Sequence, residues 1–149
     1  MVTQPPSAIP APGTCLAGKY RVDRVIGAGG MGVVLVVHHL ELDKPLALKL
    51  LRPQVLQSTT AVERFLREAR AASAIESDHV ARVIDFGRLE NGMPYMAMEL
   101  VRGTTLRELL HRRELPAWPV RLRWLVDVAE ALVAAHSIGE IAEMIRFGP

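Results

Sequence analysis

Apolar and polar residues alternate along the first half of the chain in a way that predicts strands. From Tyr20 to Ile26 (YRVDRVI) the period is two, the mark of a half-buried strand. Val33 to His38 (VVLVVH) is β-branched and apolar, and predicts a second strand. The short glycine-rich link between them makes the pair an antiparallel hairpin. After the polar turn Glu41–Pro45, Leu46 to Leu51 (LALKLL) predicts a third strand, with Lys49 inside an otherwise apolar run. The period then changes. Val62, Phe65, Leu66, Ala69 and Ala72 recur at helical spacing, with Arg64, Arg67 and Arg70 on the other side. Thr60 and Glu63 fit a capping box for this helix, which should end near Ile75. Val80–Phe86 and Pro94–Leu100 predict strands four and five, joined by a turn at Glu90-Asn91-Gly92. Thr105 with Glu108 forms another capping box, opening a short helix to about Arg112. Pro119 begins a long helix to about His136, with Val120, Trp124, Val128, Leu132 and Ala135 on one face.

The order is β-β-β-α-β-β followed by two helices. Hairpin strands with one inserted helix predict an α+β layer and exclude a parallel α/β sheet. Composition agrees. The chain has 149 residues, half of them hydrophobic, which suits one soluble globular domain. Eighteen basic against sixteen acidic residues give no nucleic-acid signal. The lone Cys15 excludes a disulfide scaffold and favours a reducing, cytoplasmic setting. No apolar run reaches the roughly 18 residues of a membrane span. The N-terminal residues lack the pattern of a signal peptide. Residues 1–18, proline-rich at their start, are expected to be a disordered leader ahead of the folded part.

Gly27, Gly29 and Gly32 spell G-x-G-x-x-G. Glycines let backbone N–H groups come close to a phosphate. The motif has three readings: a plain hairpin turn, the start of a dinucleotide-binding βαβ unit, or a flap over phosphates. A dinucleotide-binding oxidoreductase needs a helix at the motif, and Val33–Val37 are strand formers. Lys49, inside its apolar strand, could then be an inward cation for phosphate. Glu68 lies among Phe65, Ala69 and Ala72, so it should point at the sheet. A buried carboxylate needs a cation, and Lys49 is the available one.

With these pieces in order the chain resembles a protein kinase, and most of all the bacterial members of the eukaryotic-like Ser/Thr family. The residues that carry the resemblance are Ile26–Val34 (IGAGGMGVV), Ala47-Leu48-Lys49, Phe65-Leu66-Arg67-Glu68, and Tyr95–Val101 (YMAMELV) followed by Gly103. The resemblance implies a kinase-like N-lobe over residues 19–101, a five-stranded antiparallel sheet with one inserted helix. A hinge and the first two C-lobe helices follow over 102–139, then a non-matching tail over 140–149. It implies ATP as cofactor, with Mg²⁺ in a complete kinase, and phosphoryl transfer to serine or threonine of a protein substrate. Ile26, Gly27, Ala28, Gly29, Gly30, Met31, Gly32, Val33 and Val34 would cover the nucleotide. Lys49 would hold the α- and β-phosphates and Glu68 would hold Lys49, the two residues of catalytic type. Val34 and Ala47 would sandwich the adenine, with Met98 as gatekeeper behind it. The backbone groups of Glu99 and Val101 would bond its edge.

Two triplets imitate further kinase motifs. Asp85-Phe86-Gly87 reads D-F-G but stands before the hinge, so it is read as a strand end and turn, not a magnesium site. His111-Arg112-Arg113-Glu114 faintly resembles H-R-D, with Arg113 in place of the aspartate, and is read as a helix end. Neither Asp nor Asn follows Asp127. On this reading the catalytic base and both magnesium ligands are missing, so no protein metal ligand is predicted. The expectation is a fragment truncated before the catalytic loop, keeping its nucleotide-binding elements and inactive alone. The alternative is a pseudokinase-like binding or interaction module.

Overall fold

The computed structural model describes residues 9–30 and 32–138. Six antiparallel strands form one sheet: β1 (Cys15–Leu16), β2 (Tyr20–Ala28), β3 (Gly32–His39), β4 (Lys44–Leu51), β5 (Val83–Arg88) and β6 (Pro94–Glu99). Their order across the sheet is β1-β2-β3-β4-β6-β5. Three helices accompany them: α1 (Thr59–Ser73), α2 (Leu106–Arg112) and α3 (Trp118–His136).

The five strands expected are present, and a sixth precedes them. β1 pairs Cys15 with Arg21 and Leu16 with Tyr20. Gly13 N donates to Val22 O at 2.7 Å and Val22 N to Thr14 O at 2.8 Å. The stretch read as a disordered leader over 1–18 is therefore corrected: from Ile9 onward it is placed, and Ile9 and Leu16 pack into the core. The first eight residues lie outside the described part.

The strand alternation is realised as two unlike faces. On one, Val33, Leu35 and Val37 of β3, Leu46, Leu48 and Leu50 of β4, and Tyr95 and Ala97 of β6 join Tyr20 and Val22 in the main core. The sheet is curled. Each fully buried aliphatic side chain there contributes roughly 1.5–3 kcal/mol of hydrophobic stabilisation. The other face is partly covered by α1: Val62 and Phe65 pack on Leu51, with Met96 against them.

Local chemistry moves several boundaries. The N-cap of α1 is Ser58, whose Oγ accepts from Ala61 N at 3.3 Å, so the Thr60–Glu63 capping box expected from sequence is not the one used. β5 begins at Val83 instead of Val80. Ser77 Oγ accepts from His79 N, and Ser77 O from Val80 N, which holds Ser77–Val80 in a turn. The turn at Glu90-Asn91-Gly92 is as expected, with Gly92 at φ +80° and Leu89 N bonded to Met93 O at 2.8 Å. The Thr105–Glu108 capping box is complete: Glu108 N donates to Thr105 Oγ1 at 3.2 Å, and Thr105 N to Glu108 Oε2 at 2.9 Å. These bonds from Thr105 hold the Glu108 carboxyl below its ordinary range.

α3 differs most from its sequence reading. Of the face Val120, Trp124, Val128, Leu132 and Ala135, only Ala135 is buried, packed on Ala71 and Ile75. Trp118, Leu125 and Val133 stand 62–70 % exposed. No helix among the described residues is long and apolar enough to cross a membrane.

Candidate functional site

The face opposite the main core gathers the residues singled out from sequence. Register pairs Val34 with Lys49 and Lys49 with Met96, in one row across β3, β4 and β6. The next row on the same face is Val36, Ala47 and Met98. Val34, Ala47, Lys49 and Met98 therefore lie on one surface. Gly27 pairs with Val34, so the glycine loop continues directly from that surface.

The loop is built by its glycines. Gly29 N donates to Gly32 O at 2.9 Å, closing the link between β2 and β3. A Cβ on Gly32 would lie 2.3 Å from Leu50 O, so only glycine lets β3 approach β4 here. Gly29 and Gly30 face open space. Two bulges in β2, between Val22 and Arg24 and between Val25 and Gly27, leave Ile26 without a partner in the ladder and 44 % exposed. Met31 lies outside the described residues.

Lys49 is half-buried, as is Glu68 on α1. Both line a cavity of about 250 Å³, together with Leu51, Val55, Arg64 and Phe65. The Lys49 ammonium lies 5.7 Å from the centroid of the Phe65 ring. Among the described residues no ion pair joins Lys49 to Glu68. They share a cavity, with an aromatic face holding the cation.

The structure separates other residues from this group. Val33, 1 % exposed, belongs to the main core on the opposite face, so its side chain is corrected from a nucleotide contact to a core residue. Glu99 ends β6, its N–H donating to Arg82 O at 2.9 Å and its carboxylate facing Arg82 N at 3.5 Å. Val101 follows, 71 % exposed.

Asp85 of the D-F-G look-alike belongs to the other side of the sheet, paired with Ala97 in mid-β5 instead of ending the strand. Its Oδ2 accepts from Tyr20 Oη at 2.7 Å and Tyr95 Oη at 2.9 Å, and pairs with Lys19 Nζ at 2.8 Å. Burial alone would raise the Asp85 carboxyl, but the bonds from Lys19, Tyr20 and Tyr95 outweigh it and hold it below the carboxylate range. Burial and the contact with Asp85 push both tyrosines up. An oxygen with three donors is engaged in structure. Sequence reasoning missed this hub. Its available signal was that Tyr20 and Tyr95, the only tyrosines in the chain, both stand at inward strand positions. It also missed Phe65 as the partner of Lys49. The H-R-D look-alike is a helix end, as read: Arg113 caps α2 in the left-handed region at φ +58°.

The family model described as "Protein kinase domain" matches residues 20–142. The chain is 41% identical over 133 residues to the serine/threonine-protein kinase pkn3 of Myxococcus xanthus, covering 87% of this chain and 24% of that protein. It is 34% identical over 135 residues to the serine/threonine-protein kinase PknB of Mycobacterium tuberculosis, covering 88% and 21%. The crystal structure of the M. tuberculosis PknI kinase domain superposes with a TM-score of 0.75 at 31% identity, covering 88% of this chain and 52% of that one. The chain thus spans about a quarter or less of these two curated relatives. With Lys49 of β4 and Met98 of β6 on the sheet face that leads into the glycine loop, and a family match over most of its length, the chain belongs to the protein kinase domain family.

Proposed function

We propose that this chain is the adenine-nucleotide-holding part of a serine/threonine protein kinase. One observation carries the reading: Val34, Ala47, Lys49 and Met98 share one sheet face directly below the glycine loop. On that face, apolar Val34 and Ala47 suit one side of an adenine ring, and Met98 closes the space behind it. Backbone N–H groups of the loop other than that of Gly29, which bonds Gly32 O, suit phosphate oxygens. The Lys49 ammonium, already partly desolvated beside Phe65, is the cation for the α- and β-phosphates. Glu68, lining the same cavity, is its carboxylate partner. A shift of the ammonium from the Phe65 ring toward Glu68 would hold it in line with the phosphates.

ATP supplies the γ-phosphoryl group that the whole family transfers, with Mg²⁺ beside it. Positioning and charge stabilisation by metal and base account for most of that chemistry. No Asp or Asn follows Asp127 in the sequence given. The residues present therefore bind and orient a nucleotide, and transfer to a protein hydroxyl by this chain as given should be negligible.

Thermal unfolding with and without ATP is the direct test. ATP should raise the midpoint of the chain, and Lys49→Met should abolish that rise while leaving the ATP-free midpoint within a degree or two. A rise that persists in Lys49→Met sinks the assignment of Lys49. Lys49-dependent incorporation of label from ATP into a generic protein substrate would defeat the proposed inactivity.

A second reading, an interaction module, draws on α3, whose residues Trp118, Leu125 and Val133 are mostly exposed. Such a face favours association with a covering surface. It is compatible with nucleotide binding on the sheet.

A further inference from the structure

The turn after α1 brings His79 against the middle of α3. His79 Nε2 lies 2.7 Å from Glu130 Oε2, and Nδ1 lies 3.9 Å from Asp127 Oδ1. One ligand atom from each of His79, Asp127 and Glu130 lies within 4.8 Å of the other two. This cluster stands apart from the Lys49 face and takes no part in the proposed nucleotide binding. We propose that His79, Asp127 and Glu130 form a binding site for a divalent transition-metal ion of the Zn²⁺ class.

Three features carry the inference. The donors are mixed, one imidazole nitrogen and two carboxylate oxygens, which suits borderline ions such as Zn²⁺ and disfavours Mg²⁺ or Ca²⁺, which prefer all-oxygen shells. They come from two separate elements, so an ion here cross-links the turn to α3. The spacing is close to what the ion needs. Zn²⁺ arms of about 2.1 Å in tetrahedral geometry place neighbouring donors about 3.3–3.4 Å apart. The three ligand atoms lie within 4.8 Å of one another, so modest side-chain rotations bring them to that spacing. Asp127 and Glu130 are three residues apart on α3, so both carboxylates project to the same side. Arg123 Nε donates to Asp127 Oδ1 at 3.3 Å, which fixes that carboxylate's orientation. The His79 and Asp127 side chains are about one-third exposed, leaving a path for the ion and for a water as fourth ligand.

The test is calorimetric titration of the full chain with Zn²⁺ alone, without nucleotide. The expected result is one equivalent bound, and at least a tenfold loss of affinity in both His79→Ala and Glu130→Gln. His111→Ala should bind as the parent does. Co²⁺ in the same site should give visible d–d absorption that Glu130→Gln alters. Glu130 is mostly exposed, so Glu130→Gln carries the test if His79→Ala fails to fold. Absence of binding, or affinity unchanged in the folded variants, overturns the proposal.

Discussion

The phenol of Tyr20 donates to Asp85 Oδ2 at 2.7 Å across 65 residues of chain. That bond ties β2 to the far edge strand β5, and Tyr95 and Lys19 converge on the same oxygen. Asp85→Ala would strand two buried phenols and an ammonium together. It should lower stability by at least about 2 kcal/mol, the cost typical of orphaning buried donors to a charged partner. Asp85→Asn should cost less. In neither variant should the midpoint shift produced by ATP disappear in the protein that remains folded, since Asp85 lies across the sheet from Lys49. Loss of that shift in Asp85→Asn would show that the D-F-G triplet serves the nucleotide after all.

The same hub sets pH limits. Asp85 is held below its ordinary value in the folded state, so its contribution is present above the unfolded carboxyl value near 3.8 and is lost as pH falls through the lower folded value. Glu108 acts in the same direction. Lys19, Tyr20 and Tyr95 are all raised, so their contribution is complete below about pH 10 and is lost as pH rises further. Denaturant midpoints followed from pH 2 to 11 should fall at both ends. Asp85→Asn should flatten both limbs, and an unchanged alkaline limb would refute the coupling.

Two glycines of one loop should answer differently to alanine. Gly32→Ala meets the Leu50 carbonyl at 2.3 Å and must push β3 from β4, costing about 1–3 kcal/mol as overpacking does. Gly30→Ala enters open space and should change stability by no more than about 0.5 kcal/mol. Urea unfolding of the two variants beside the parent decides this, and equal costs would contradict the close approach at Gly32.

The outward side of α3 should make the chain self-associate as concentration rises. Leu125 and Val133 are 62 % and 70 % exposed. Leu125→Glu combined with Val133→Lys should reduce association in sedimentation velocity while leaving ATP-dependent stabilisation in place. A parent chain that stays monomeric at high concentration would remove this prediction.

Much of the sheet was legible because its strands are half-buried and obey a period of two. Leu46, Leu48 and Leu50 against Ala47 and Lys49 show one face closed and the other open. The Thr105–Glu108 cap was legible because both bonds are local. What escaped depended on distant pairing or on competing local donors. β1 is two residues long and exists only through its bonds to Tyr20 and Arg21. Ser58 and Thr60 are both fit to cap α1, and composition alone does not choose between them. Val33 carries the motif's spelling but stands at a strand position whose parity sends it into the core. The Lys49–Phe65 contact depends on how α1 lies across the sheet, which no spacing in the chain records.

β4 is paired along its length on both sides, with β3 through Val34–Lys49 and with β6 through Lys49–Met96. Moving the Lys49 backbone would break two ladders at once, whereas a side chain at Gly29 or Gly30 would meet only open space. The cation is thus a fixed origin and the loop a compliant cover. Differences in length or charge between ligands on this face must be absorbed almost entirely from above.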